Sequence, residues 1–290
     1  MIASIISGGL GNQMFMYAMV RSMALRNHTT MAFDIESGFT RDFLYQRSLE
    51  LRNFNLELPT ARLETFNYGN IGRIIRSLSR YCGHNILLPH YRMIKEDMNY
   101  FHYQKEIKEL QISNAFLEGY WQAPQYFEDY KDIIRNDFQI ITPMSDKIKD
   151  ELKSMKQNSS PLVFIGVRRY QECKNVRPGM VLSEDYYNKA IQLIESKITN
   201  PQFVVFTQDY EWAKKNIKTQ SPILYASPKN GQLSSIEDLY LMIHCNHAII
   251  SNSTFYWWGA WLQKETTNHI VIAPDNFVNK DSICKEWIKL

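Results

Sequence analysis

Residues 2–7 are a short apolar run and read as a buried strand. Gly8, Gly9 and Gly11 follow as a turn, and Phe15, Ala18, Met19, Ser22 and Met23 then recur at helical spacing. With a further strand at 31–35, the chain opens as strand, glycine turn, helix, strand. Residues 40–112 show no clear period. A strand is expected at 115–119 and a helix at 127–138. The polar stretch 142–161 reads as a helix plus linker, and the domain boundary is placed there, giving domains 1–155 and 156–290. From 162 onward the pattern is regular. Strands are expected at 162–167, 203–206, 223–225, 248–250 and 270–273. Helices lie between them, one opening at Ser183 with a stripe of Tyr187, Ala190, Ile191 and Ile194, another with Ile236, Leu239, Tyr240 and Ile243 on one face. Strands that alternate with helices of about ten residues predict a parallel, doubly wound sheet. Ligands of such sheets bind beyond the carboxyl ends of the strands, which singles out 8–13, 168–172, 207–209 and 251–255.

Composition narrows the class. The 290 residues suit one large or two modest domains, and 44% hydrophobic against 22% charged residues builds a core rather than a disordered tail. A net charge of +3 is too small for a nucleic-acid coat, so no nucleic-acid partner is expected. Cys82, Cys173, Cys245 and Cys284 form no CxxC pair, which argues against a zinc ribbon or a disulfide framework and suits a reducing compartment. No run reaches the roughly eighteen apolar residues of a membrane span, and a cytoplasmic protein is expected. Arg73, Arg76 and Arg80 fall on one helical face. The favoured reading is a solvated face; the second is peripheral contact with the inner membrane surface.

The strand-end segments carry the candidate chemistry. Arg168 and Arg169 follow a buried strand, where guanidinium forks suit phosphate oxygens or a domestic carboxylate equally well. Ser251, Asn252, Ser253 and Thr254 precede a helix, and their hydroxyls exceed what simple capping needs, as an anion site would. The turn Gly8-Gly9-Leu10-Gly11-Asn12-Gln13 is only a partial dinucleotide fingerprint, because Met14 stands where a third glycine belongs. It allows close approach of backbone to a ligand, with Asn12 and Gln13 adding amide donors; the plainer reading is a tight turn capped by Asn12. Asp209 is a helix cap by default, or a ribose or base acceptor. Trp257, Trp258 and Trp261 read as packing between domains, and His244 with His247 lacks a third metal ligand nearby.

Three motifs, in order along the whole chain, resemble the bacterial α-1,2-fucosyltransferases of glycosyltransferase family 11. They are Gly8-Gly9-Leu10-Gly11-Asn12-Gln13-Met14-Phe15 with Tyr17-Ala18; Glu118-Gly119-Tyr120-Trp121-Gln122 with Tyr126-Phe127; and the stretch from Asp238-Leu239-Tyr240 through Ser251-Asn252-Ser253-Thr254-Phe255 to Trp257-Trp258-Gly259-Ala260-Trp261. The ending Ile270-Val271-Ile272-Ala273-Pro274 also fits. One motif departs. The family pattern His-x-Arg-Arg-x-Asp is here Gly166-Val167-Arg168-Arg169-Tyr170-Gln171, with Glu172 next. The resemblance implies a GT-B-like α/β fold, two Rossmann-like domains facing across a cleft, with the acceptor on the first and GDP-L-fucose on the second. It implies inverting transfer of fucose from GDP-β-L-fucose to the 2-hydroxyl of a terminal β-galactose, such as lactose or a surface-polysaccharide repeat unit, without metal or other cofactor. On that reading Arg168, Asn12 and Glu172 are catalytic candidates. Gly9, Gly11, Gln13, Arg169, Asp209, Asn252, Ser253, Thr254 and Phe255 face the donor, and Asp34, Glu118 and Trp121 face the acceptor. The general base is open among Glu172, Asp34 and Glu118. Two other classes compete: a non-catalytic nucleotide-sugar or glycan binder, favoured by the altered arginine motif, and an NAD(P)-dependent sugar-nucleotide oxidoreductase, favoured by the partial glycine fingerprint.

Overall fold

The computed structural model describes residues 1–40, 42, 45–60, 74, 78, 81–82, 91–97, 102–170, 180–228, 231, 234–275, 277 and 280–290. The expectations attached to Arg73, Arg76, Arg80 and Glu172 lie outside these residues. The chain divides into two compact units, Met1–Ile141 and Thr142–Leu290.

The first unit holds β1 (Ile2–Ile5), α1 (Leu10–Arg26), β2 (Met31–Asp34), β3 (Arg92–Lys95), α2 (Lys105–Lys108), β4 (Ala115–Glu118) and α3 (Lys131–Asp137). Among the described residues its four strands are ordered β2-β1-β4-β3 and all pair in parallel. The expected apolar face of α1 is buried, but so are Met14, Met16 and Tyr17, so the helix is enclosed nearly all round. Its far side is tied to α3 through Asp137, which accepts from the Tyr17 hydroxyl at 3.0 Å and from Arg21 Nε at 3.1 Å. Sequence periodicity missed β3, because this edge strand fully buries only Ile94.

The second unit holds α4 (Asp146–Met155), β5 (Leu162–Val167), α5 (Glu184–Lys197), β6 (Gln202–Thr207), α6 (Tyr210–Asn216), β7 (Ile223–Tyr225), α7 (Ser234–Ile243), β8 (His247–Ile249), α8 (Thr254–Trp261), β9 (Val271–Ala273) and β10 (Ile288–Lys289). The sheet runs β10-β9-β8-β5-β6-β7, again all parallel. Strands β5 and β6 are buried along their whole length, which is why 162–167 and 203–206 read as apolar runs. The Tyr187, Ala190, Ile191 and Ile194 stripe of α5 joins Val163, Ile165 and Phe203 in one core. Two expectations need correcting. The boundary between units falls before α4 and not after it, since Gln202 Nε2 donates to the Met155 carbonyl at 2.8 Å and the Ser227 N–H to Glu151 at 2.9 Å. The tryptophans of α8, expected to pack between domains, gather with Trp287 within the second unit, where Trp257 Nε1 donates to the Ser282 carbonyl.

Two parallel α/β units of this kind make up the expected GT-B-like fold class. In each, strand order reverses beside the first strand of the unit. The chain leaves β1 for β2 on one side and crosses to β3 and then β4 on the other; it leaves β5 for β6 and β7 and crosses back to β8. Those reversals are the ligand-binding switch points of doubly wound sheets. Among the described residues no helix is long and apolar enough to cross a membrane.

At the opposite end of the second sheet, His247 Nδ1 accepts the Ile270 N–H at 3.1 Å, which requires a bare ring nitrogen. Burial, and then neighbouring His269, lower its pKa to about 4. The unfolded imidazole titrates near ~6.5, so the unfolded chain binds the extra proton between these values. The contribution is full above about pH 6.5 and is lost as pH falls toward 4. Thermal melts should therefore show Tm falling over that window. His247→Asn, whose Oδ1 can accept the same N–H, should flatten the fall; an unchanged slope would assign it to other groups.

Candidate functional site at the two switch points

At the second unit's switch point, Arg168 leaves the end of β5. Its Nη1 donates to Oε1 of Gln208, beyond the end of β6, and its guanidinium lies 4.7 Å from the Tyr170 ring centroid. Tyr170 holds a left-handed backbone (φ 52°), and its hydroxyl donates to the Asn252 carbonyl beyond β8. One residue thus supports Arg168 and ties the ends of β5 and β8 together. Arg169 goes elsewhere. It donates to the Leu182 carbonyl at 3.2 Å and stacks on Trp212 of α6 at 4.2 Å. Asp209 is the N-cap of that helix, accepting the Trp212 N–H at 3.1 Å. The structure separates the two arginines: Arg168 stands at the strand edge, while Arg169 and Asp209 brace α6.

Beyond β8, Ser251 and Asn252 are fully buried, and Asn252 Nδ2 donates to the Met180 carbonyl. Ser253, Thr254 and Phe255 are half-buried at the start of α8. Ser253 occupies the N-cap position without a side-chain cap bond, so simple capping does not explain the hydroxyl there. Helix N-terminal N–H groups and hydroxyls form an anion-binding edge.

In the first unit, Gly9 caps α1 and Asn12 lies inside the helix, so Asn12 is not the cap. Gln13 is fully buried. Its Nε2 donates to the Gly8 and Ser48 carbonyls, both at 2.9 Å, and its Oε1 accepts the Glu50 N–H. It clamps the glycine turn to residues 48–50 instead of facing a donor. Asp34 is likewise committed to its own turn, accepting from the Glu36 and Ser37 N–H groups and from the Ser37 hydroxyl. Trp121 is fully buried against Tyr126, which removes it from an acceptor surface. Gly9, Gly11, Asn12 and Glu118 do stand at the switch point, with Asn12 Oδ1 accepting from Gln122 Nε2 at 3.1 Å.

These motifs fit what the chain is similar to. The model of the family described as Glycosyl transferase family 11 matches residues 1–290. The chain belongs to glycosyltransferase family 11. It is 25% identical to the Escherichia coli alpha-1,2-colitosyltransferase, over 98% of this chain and 97% of that one. It is 29% identical to the Escherichia coli O-antigen biosynthesis glycosyltransferase WbnK, over 99% of each. The galactoside alpha-(1,2)-fucosyltransferase 1 of Leontocebus fuscicollis is 26% identical over 60% of this chain and 48% of its own length. The fold is shared with fucosyltransferase NodZ from Bradyrhizobium, at TM-score 0.52, 14% identity, 90% of this chain and 92% of that one.

For a family 11 chain, the glycine at 166 now has a physical reason. A Cβ there would lie 2.4 Å from the Tyr256 ring, and Tyr256 is fixed by its hydroxyl to the Phe206 carbonyl at 3.0 Å. The ring from α8 occupies the space that a side chain on β5 would need. Sequence reading missed Tyr256, Tyr170, Gln208 and also Arg47, whose guanidinium approaches Gly9. Tyr170 and Tyr256 lie inside the motif stretches and Gln208 in a strand-end segment, but the sequence does not show what their side chains touch, and each of the four is brought to its place by a different element. Gly166→Ala should destabilise the fold by about 1–3 kcal/mol through overpacking. Tyr256→Leu on top of it should recover part of that loss in urea unfolding; additive losses would show that the two positions are not coupled.

Proposed function

We propose that the chain transfers L-fucose from GDP-β-L-fucose to the 2-hydroxyl of a terminal β-galactose, with inversion, giving an α-1,2-linked product. The observation that carries the proposal is Arg168 and the start of α8 at the ends of adjacent strands, at the switch point of a family 11 chain. The second unit is assigned the donor and the first the acceptor. As the glycosidic bond to the diphosphate breaks, negative charge grows on the leaving oxygens. A guanidinium fork and helix N–H groups held in place beforehand stabilise that charge without reorganising. This is the role a metal ion plays in other transferases, and we assign no metal here. Asn12 supplies amide contacts to the transferred sugar. With Asp34 committed to its turn, the late proton of the acceptor hydroxyl is assigned to Glu118 or Glu172, of which Glu118 lies among the described residues.

A second donor is favoured by a specific finding, the full-length similarity to a colitosyltransferase. Colitose is fucose without its 3-hydroxyl, so a site that hydrogen-bonds that hydroxyl would discriminate strongly. Purified protein with lactose and each GDP-sugar, followed by product and GDP release, decides between them. Preferred transfer from GDP-fucose, insensitive to EDTA, is expected. Transfer from GDP-colitose alone would replace the donor assignment, and binding of GDP-sugars without turnover on any galactoside would leave a binder. Arg168→Ala should lower kcat/KM by ~10²–10³ at unchanged Tm, and Arg168→Lys should also be poor. Arg169→Ala should instead lower Tm, because it removes the stack on Trp212.

A further inference from the structure

Glu96, just past β3, is a carboxylate that no motif marks and that the transfer chemistry above does not use. It is 2% exposed. Its N–H donates to the Glu118 carbonyl at 2.9 Å, continuing the β3–β4 ladder. Its Oε2 accepts the Tyr120 N–H at 2.6 Å, and both its oxygens accept the Trp121 N–H, at 3.0 and 3.1 Å. Burial raises its pKa, against the downward pull of those bonds. The fit leaves no room: a Cβ on Gly119 would lie 2.4 Å from Glu96 Cβ. Trp121 is held in the left-handed region (φ 56°), a conformation that costs a bulky residue energy and persists only where its surroundings impose it.

The clamped turn leads to the glycine loop. Gln122, next in the chain, donates through Nε2 to Asn12 Oδ1, and the Tyr120 ring lies within 3.6 Å of where a Gly8 Cβ would be. With its oxygen taken by Gln122, the Asn12 amide is fixed in one orientation, and its Nδ2 lies beside Gly8. We propose that Glu96 is a positioning residue of the transfer site: its carboxylate holds residues 119–122 and, through Gln122, orients the Asn12 amide. The proposal rests on the assignment of Asn12 to the transferred sugar.

The test compares wild type with Glu96→Gln, Gln122→Ala and the double variant. Glu96→Gln keeps the size but leaves one oxygen: in the Oε2 position it still accepts both N–H groups, while its NH₂ is set against the Trp121 N–H that Oε1 now accepts. The expected result is a fall in kcat of about 10–100-fold with the KM for the GDP-sugar essentially unchanged. Gln122→Ala should give a similar fall, and the double variant should lose little more, because both act on Asn12. In ¹⁵N–¹H spectra, Glu96→Gln should move the Tyr120 and Trp121 amide signals together with the Asn12 side-chain NH₂. Should Glu96→Gln be too unstable to isolate, Glu96→Asp keeps the charge, withdraws it by one methylene and should give smaller shifts of the same signals. An unmoved Asn12 signal, or losses that multiply independently, would overturn the proposal. If wild type transfers from neither GDP-sugar, the assigned reaction fails while the Asn12 signal still decides whether Glu96 positions it.

Discussion

The reversal of strand order beside β1 and beside β5 is the constraint on which the rest of the molecule depends. A parallel strand must be followed by a crossover, and crossovers cover the faces of a sheet. Where successive crossovers depart to opposite sides, the carboxyl end of the central strand is left uncovered. Residues there are anchored by the most buried strands of the fold and yet meet solvent. Arg168 and Asn12 occupy those positions in their respective units, and each is steadied by a residue from the strand end across the reversal or from a neighbouring one. For Asn12 that residue is Gln122 beyond β4; for Arg168 it is Gln208 beyond β6, with Tyr170 reaching to the main chain beyond β8.

The second unit shows how a rigid sheet presents a single guanidinium. Bulk that would normally project from β5 is absent at Gly166, and the Tyr256 ring fills the space from α8. That ring bonds to the backbone end of β6, so the helix that offers Ser253, Thr254 and Phe255 is locked to the sheet. Arg169 and Trp212 brace α6 behind it. Gly166 and Tyr256 together form the packing beneath the strand edge at which Arg168 stands.

Much of this was legible in the sequence where burial is one-sided or complete. The runs 162–167 in β5 and 203–206 in β6 and the stripe of α5 could be read because every apolar position is used. Strand β3 could not, since Arg92 and Lys95 face outward and only Ile94 is buried. The helix of α4 was legible but its unit was not, because few of its residues are buried and its attachment to the second unit runs through Gln202 and Ser227, far along the chain. The switch-point segments were found from strand ends alone. The division of labour within them was not: adjacent arginines look alike until Trp212 and Leu182 claim one of them, and Gln13, Asp34 and Trp121 carry the same side chains whether they bind ligand or hold a turn. Glu96 was invisible because its partners are backbone N–H groups 24 and 25 residues away.

The central claim is that the second unit's switch point holds a nucleoside diphosphate through Arg168 and the start of α8. A crystal structure of the chain with GDP tests it most directly. The account predicts the β-phosphate within hydrogen-bond reach of the Arg168 guanidinium and of the N–H groups at 253–255, with Arg169 still stacked on Trp212. A diphosphate bound instead at the glycine turn of the first unit, or held by Arg169 with Arg168 turned away, would contradict it.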